Sequence, residues 1–134
     1  EAQAEKLGVA DRVVFIGAIE YEKLPERLAP ASVFVRPSRS EGMGTAFLDA
    51  MASHVPIVGT SVGGIPDFLK DREPGLFCKV DDPTSVADAI TILLTDQPLR
   101  EKIVRQAYRM VKEKYDWDSI AQQYHETFSH YSRI

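Results

Sequence analysis

Four short apolar runs punctuate this chain, and each is followed by a turn and then by a stretch with helical periodicity. They are residues 13–16 (Val-Val-Phe-Ile), 32–36 (Ser-Val-Phe-Val-Arg), 56–60 (Pro-Ile-Val-Gly-Thr) and 75–80 (Gly-Leu-Phe-Cys-Lys-Val). Runs this short and this apolar suit strands covered on both faces, and their alternation with helices joined by short loops points to a parallel α/β sheet. Helical segments are expected at 21–29, with Pro25 in the first turn, and at 45–53, 67–70, 99–114 and 116–131. A further one should start at Asp82 as N-cap and Pro83 as first helical residue, and run to about Thr95. Residues 1–8 read as a helix end closed by Gly8. Ala46, Phe47, Ala50 and Met51 should face the sheet, as should Val86, Ile90, Leu93 and Leu94. The last helix should present Ile120, Tyr124 and Phe128, with Trp117 as its anchor. At 134 residues the chain is one domain, or part of one, with a parallel α/β sheet flanked by helices.

The stretch from Arg36 to Ala52 concentrates the chemistry. An apolar strand breaks at Pro37, passes through Ser38-Arg39-Ser40-Glu41-Gly42-Met43-Gly44, and enters a helix near Thr45. Gly42 and Gly44 let backbone amides come close to a ligand, and the helix start adds partial positive charge, so the turn suits an anion. Glu41 at the mouth of an anion site needs another task, and accepting hydrogen bonds from hydroxyl groups is one. A ligand with both phosphate and many hydroxyls, such as a sugar nucleotide, satisfies both features. Asp49, eight residues after Glu41, either joins that opening or is a solvated acid favoured by the helix dipole. Ser61-Val62-Gly63-Gly64 either lines the far wall of a cleft or is a plain turn.

Other chemistries find little support. A net charge of −4 argues against a nucleic-acid binder. The three histidines lack metal-ligand spacing, and Asp81-Asp82 before Pro83 reads as helix capping rather than a metal pair. Ser38 and Ser40 have no partner pattern for a hydrolase triad. No apolar run approaches the roughly 20 residues of a membrane span. Cys78 stands alone, which fits a reducing, cytoplasmic compartment, with membrane-peripheral attachment of a longer protein left open.

In order, Pro37-Ser38-x-x-Glu41-Gly42-Met43-Gly44-x-x-x-Leu48-Asp49-Ala50-Met51-Ala52, Pro56-Ile57-Val58, Gly63-Gly64-Ile65-Pro66-Asp67 and Gly75-Leu76-Phe77 resemble the second Rossmann domain of retaining glycosyltransferases of family four, the glycosyl transferases group one with GT-B architecture. The resemblance covers nearly the whole chain. It implies transfer of a hexose from a nucleoside-diphosphate sugar to a hydroxyl acceptor, with no metal or other cofactor. It implies that Glu41 serves catalysis, and that Ser38 and the Gly42, Met43, Gly44 and Thr45 turn contact the donor sugar and diphosphate. Asp49 would take the ribose, Gly17, Ala18 and Ile19 the base, and Gly63 and Gly64 the cleft wall.

The sequence departs from the family pattern at three positions. The second acid is Asp49, one methylene shorter than the usual Glu; His54 replaces a glycine after the central helix and should take a left-handed or an altered cap; Met43 replaces a common Phe. The first two strands of the family domain, with their Arg and Lys, and the acceptor domain are not in this sequence. The expectation is therefore a C-terminal piece that is inactive alone and binds donor weakly at most. Its exposed sheet edges at residues 13–16 would re-pair or recruit another chain, a homo-oligomer included. Two other readings remain open: a sugar-nucleotide epimerase on the same plan, and a non-catalytic nucleotide-sugar-binding module.

Overall fold

The computed structural model describes residues 1–131. Three parallel strands form the sheet: β1 (Phe34–Arg36), β2 (Ile57–Thr60) and β3 (Leu76–Cys78), in the order β1-β2-β3. Val35 lies opposite Val58, and Gly59 opposite Phe77. The helices are α1 (Ala2–Lys6), α2 (Leu24–Leu28), α3 (Thr45–Ala52), α4 (Ile65–Phe68), α5 (Pro83–Thr95), α6 (Gln97–Lys114) and α7 (Trp117–Tyr131), with single 3-10 turns at Ala10–Arg12 and Tyr21–Lys23.

Strand β2 is buried throughout, as a central strand must be. Its side chains alternate between two cores. Ile57 joins Phe47, Met51, Ile65 and Leu69 on one face; Val58 joins Leu76, Ala89, Leu93 and Ile103 on the other. Helix α6 crosses between them, giving Ile103 to one core and Ala107 to the other. Phe47 is fully buried, its ring edge-on to Phe34 at 5.4 Å and tilted against Phe68 at 6.0 Å. That contact fixes α3 over the start of β1 and sets the height of the turn between them. Asp82 caps α5 by accepting from the Ser85 amide at 2.9 Å, as the Asp82-Pro83 pair foretold.

Several expectations need correction. Residues 13–16 form no strand. They run as exposed chain, Val14 at 83%, because no neighbouring strand offers them hydrogen bonds and an apolar run alone cannot supply them. The 21–29 segment is a 3-10 turn followed by a short helix rather than one continuous helix. The short helix expected at 67–70 begins earlier, at Ile65, because Pro66 fits its first turn. Leu94 points outward at 51% exposure, since Leu93 takes the inward position beside it. Helix α7 buries no residue, so Trp117, at 82% exposure, does not anchor it. Among the described residues no helix is long and apolar enough to cross a membrane.

Cys78 lies at the end of β3 with its thiol donating to the Gly59 carbonyl at 3.4 Å, and burial raises its pKa above the ordinary thiol value. Thiolate is the reactive form. Native protein at neutral pH should therefore resist a maleimide that labels it within minutes in denaturant. Equal labelling rates in the two states would contradict the packing of β3.

Candidate functional site

The turn from β1 into α3 is held from three sides. Its first anchor is Arg36, the last residue of β1. The guanidinium grips Glu41 in a fork: Nε lies 2.7 Å from Oε2, and an Nη donates to Oε1 at 3.2 Å. The Ser38 hydroxyl donates to the same Oε2 at 2.9 Å. Glu41 is only 12% exposed, and this donor set holds its carboxylate in one orientation. Arg39, the nearby alternative cation, turns away to Asp81 at 2.7 Å.

The second anchor is the end of β2. The Thr60 side chain is buried, and its hydroxyl donates to the Ser38 carbonyl at 2.5 Å. The third is the Gly63-Gly64 turn. The Gly64 amide donates to the Gly42 carbonyl at 3.1 Å. Gly63 has φ +54, and a Cβ there would overlap the Glu41 carbonyl. This second glycine loop therefore packs behind the first as its support.

Gly44 is the N-cap of α3, in the left-handed conformation at φ 69, ψ 50. A Cβ there would lie 2.6 Å from Ile65 Cδ1. Helix α3 has no capping side chain and no acid in its first turn, whereas α5 and α6 are capped by Asp82 and Asp96. The leading amides of a helix have no intrahelical acceptor, so those of Thr45 and Ala46 are left for something else. Asp49 lies beyond the first turn, so the dipole argument for it as a bare first-turn acid does not hold.

Asp49 is tied to a distant residue. The Tyr21 hydroxyl donates to Asp49 Oδ1 at 3.0 Å, and that bond together with the carboxylate charge raises the Tyr21 pKa. Asp49 and Tyr21 line a cavity of about 440 Å³ with Met43, Thr45, Leu48 and Trp117. Gly17, at φ +66, Ala18 and the half-buried Ile19 lie on the chain that leads into Tyr21. The structure thus gathers Ser38, Glu41 and the Gly42–Gly44 turn into one cluster and places Asp49 one helical turn on. It leaves residues 17–19 with no hydrogen bond to that cluster.

Sequence reasoning missed two residues. Arg36 was read only as a strand end; a cation five residues before an acid across a tight turn is the signal that was available. Tyr21 carried no local signal, since its partner is 28 residues away.

At the end of the central helix, His54 has φ 59 and occupies the position just after the Ser53 C-cap. The Val55 amide reaches back to the Ala50 carbonyl at 2.9 Å, which is the hydrogen bond of a left-handed helix end. The His54 ring stacks on Tyr108 at 4.1 Å.

The family model described as glycosyl transferases group 1 matches residues 1–110. The chain belongs to that family. Among its group 1 relatives is an uncharacterized glycosyltransferase of Methanocaldococcus jannaschii, 38% identical over 118 residues, which make up 88% of this chain and 30% of that protein. The chain thus spans about a third of the length of the curated relative it matches. The solved sucrose-phosphate synthase of Thermosynechococcus elongatus superposes with a TM-score of 0.89 at 27% identity, over 98% of this chain and 33% of the other. Anabaena HepE, solved in complex with UDP and glucose, shares the fold with a TM-score of 0.88 at 24% identity, over 96% of this chain and 35% of its own. The three parallel strands and their helices match the C-terminal part of the GT-B fold, as the ordered motifs implied.

Proposed function

We propose that this group 1 domain holds the donor of a retaining hexosyl transfer, a nucleoside-diphosphate sugar, at the turn between β1 and α3. Joined to an acceptor-binding half, it passes the hexose to a hydroxyl group. One observation carries this reading: an uncapped helix start lies directly beside a carboxylate fixed by an arginine fork.

The two parts suit the two ends of such a donor. The Thr45 and Ala46 amides and the Gly42, Met43 and Gly44 backbone receive the diphosphate. The charge that builds on the departing diphosphate meets dipoles already in place, so little reorganisation is needed as the bond to the sugar breaks. Glu41 takes the sugar end. Arg36 and Ser38 occupy part of its lone-pair capacity, and what remains accepts from hexose hydroxyls. In this arrangement Glu41 orients the sugar and is not the residue that moves a proton. Ser38 acts by aiming Glu41, and Gly63 and Gly64 by holding the turn from behind. Asp49 takes the ribose, and the residues 17–19 approach takes the base. HepE, a protein of the same fold, has also been solved with UDP-glucose, a donor of this class.

Titrating the isotopically labelled 134-residue chain with UDP and UDP-glucose tests the placement. Amide shifts should concentrate on Gly42, Gly44, Thr45 and Ala46, with roughly millimolar affinity and no sugar transfer. Shifts centred instead on the cavity around Ala31, His54 and Arg100, at the opposite end of the strands, would remove the assignment.

A further inference from the structure

The Tyr21–Asp49 pair has no part in the fold's core. Tyr21 is 70% exposed, and its side-chain hydrogen bond reaches across to α3 from the turn that precedes α2. Asp49 Oδ1 is engaged by the phenol; Oδ2 has no protein partner among the described residues. The phenol hydroxyl donates its one hydrogen to Asp49, and its oxygen keeps lone pairs that can accept.

Position adds to this. Thr45 and Asp49 stand four residues apart on α3 and so share one face, about 5–6 Å apart. Both line the cavity that also holds Tyr21. A diphosphate on the leading amides of α3 therefore directs the next group of its nucleoside, the ribose, over Asp49. A ribose cis-diol offers two donors and is best met by two acceptors a short distance apart. A Glu here would reach with both of its oxygens; Asp49 is a methylene shorter and has one committed.

We infer that Tyr21 and Asp49 form a two-acceptor seat for the ribose diol, with Asp49 Oδ2 receiving one hydroxyl and the Tyr21 phenol oxygen the other. Tyr21 is on this account a specificity residue for ribonucleotide donors. It also positions Asp49, because its hydrogen bond fixes which carboxylate oxygen faces the cavity. The inference rests on the donor-site reading given above.

The test compares UDP with its 2′,3′-dideoxy analogue on the full chain and on Tyr21→Phe, following amide shifts at Gly42–Ala46. Loss of the hydroxyl should leave folding intact, because the side chain is exposed and the ring is kept. The unaltered chain should bind UDP more tightly than the dideoxy analogue. Tyr21→Phe should weaken UDP by about three- to tenfold, the loss of one hydrogen bond, and leave the analogue unchanged. Equal weakening of both ligands would show that Tyr21 merely shapes the segment, and would overturn the inference. So would no change for either, or no preference for UDP in the unaltered chain. Binding that moves no amide between Gly42 and Ala46 would instead defeat the donor-site reading itself.

Discussion

Replacing Glu41 with glutamine in a protein that carries both this domain and an acceptor half is expected to lower kcat/KM by roughly 10- to 100-fold. Hydrogen bonds to an ionised group contribute about 1.5–3 kcal/mol, and each 1.4 kcal/mol is a factor of ten. Glutamine keeps the length and one acceptor oxygen but removes the charge that holds the Arg36 fork, so both the strength and the aim of the hydroxyl contact suffer. The fold should not suffer with it. Arg36 is 45% exposed and water can solvate its guanidinium once the carboxylate is gone. Thermal unfolding within a degree or two of the parent, combined with slow transfer, is the expected pair of results. Steady-state kinetics unchanged from the parent would exclude Glu41 from donor orientation. A large drop in melting temperature would recast the Arg36–Glu41 pair as structural.

The largest stability effect is expected at Gly63. Its φ of +54 already penalises any L side chain by about 1–2 kcal/mol. The new methyl group would also occupy the position of the Glu41 carbonyl, a backbone atom that the Gly64–Gly42 hydrogen bond keeps in place. Gly63→Ala should therefore cost about 2–4 kcal/mol, a fall in Tm on the order of 10 °C. Gly17→Ala is the control. It has a similar φ of +66 but open space around the added methyl, so only the conformational penalty remains. If the two variants melt together, backbone overlap is not what distinguishes Gly63. Donor affinity should drop in Gly63→Ala as well, since relief of the clash must move either the Glu41–Gly42 backbone or the Gly63–Gly64 loop hydrogen-bonded to it.

What the sequence disclosed and what it withheld divide along a physical line. Local signals were legible. The Asp82-Pro83 cap, the left-handed His54 and the glycine turn into α3 each depend on residues within a few positions of one another, and the structure has all three. Features that require a distant partner were not. Residues 13–16 have the composition of a strand, but a strand exists only when a neighbour supplies its hydrogen bonds. Leu94 and Trp117 sit at positions that helical spacing alone could not separate from inward ones. At the site, glycines and Glu41 marked the turn because the motif is contiguous. Arg36's grip on Glu41 left only the slight trace of a cation five residues before an acid, and Tyr21's bond to Asp49, across 28 residues, left none.

The first 23 residues send no side chain into either core. Opening free energies within a protein scale with such contacts, so this stretch detaches at far less cost than β2 or α6. Its Tyr21 nevertheless completes one wall of the cavity over Asp49. Occupancy of that cavity is thereby tied to how much of the time the leading stretch stays docked, and measured affinity scales with that fraction. Any partner or neighbouring domain that clamps those residues in place would sharpen binding at α3 without touching it.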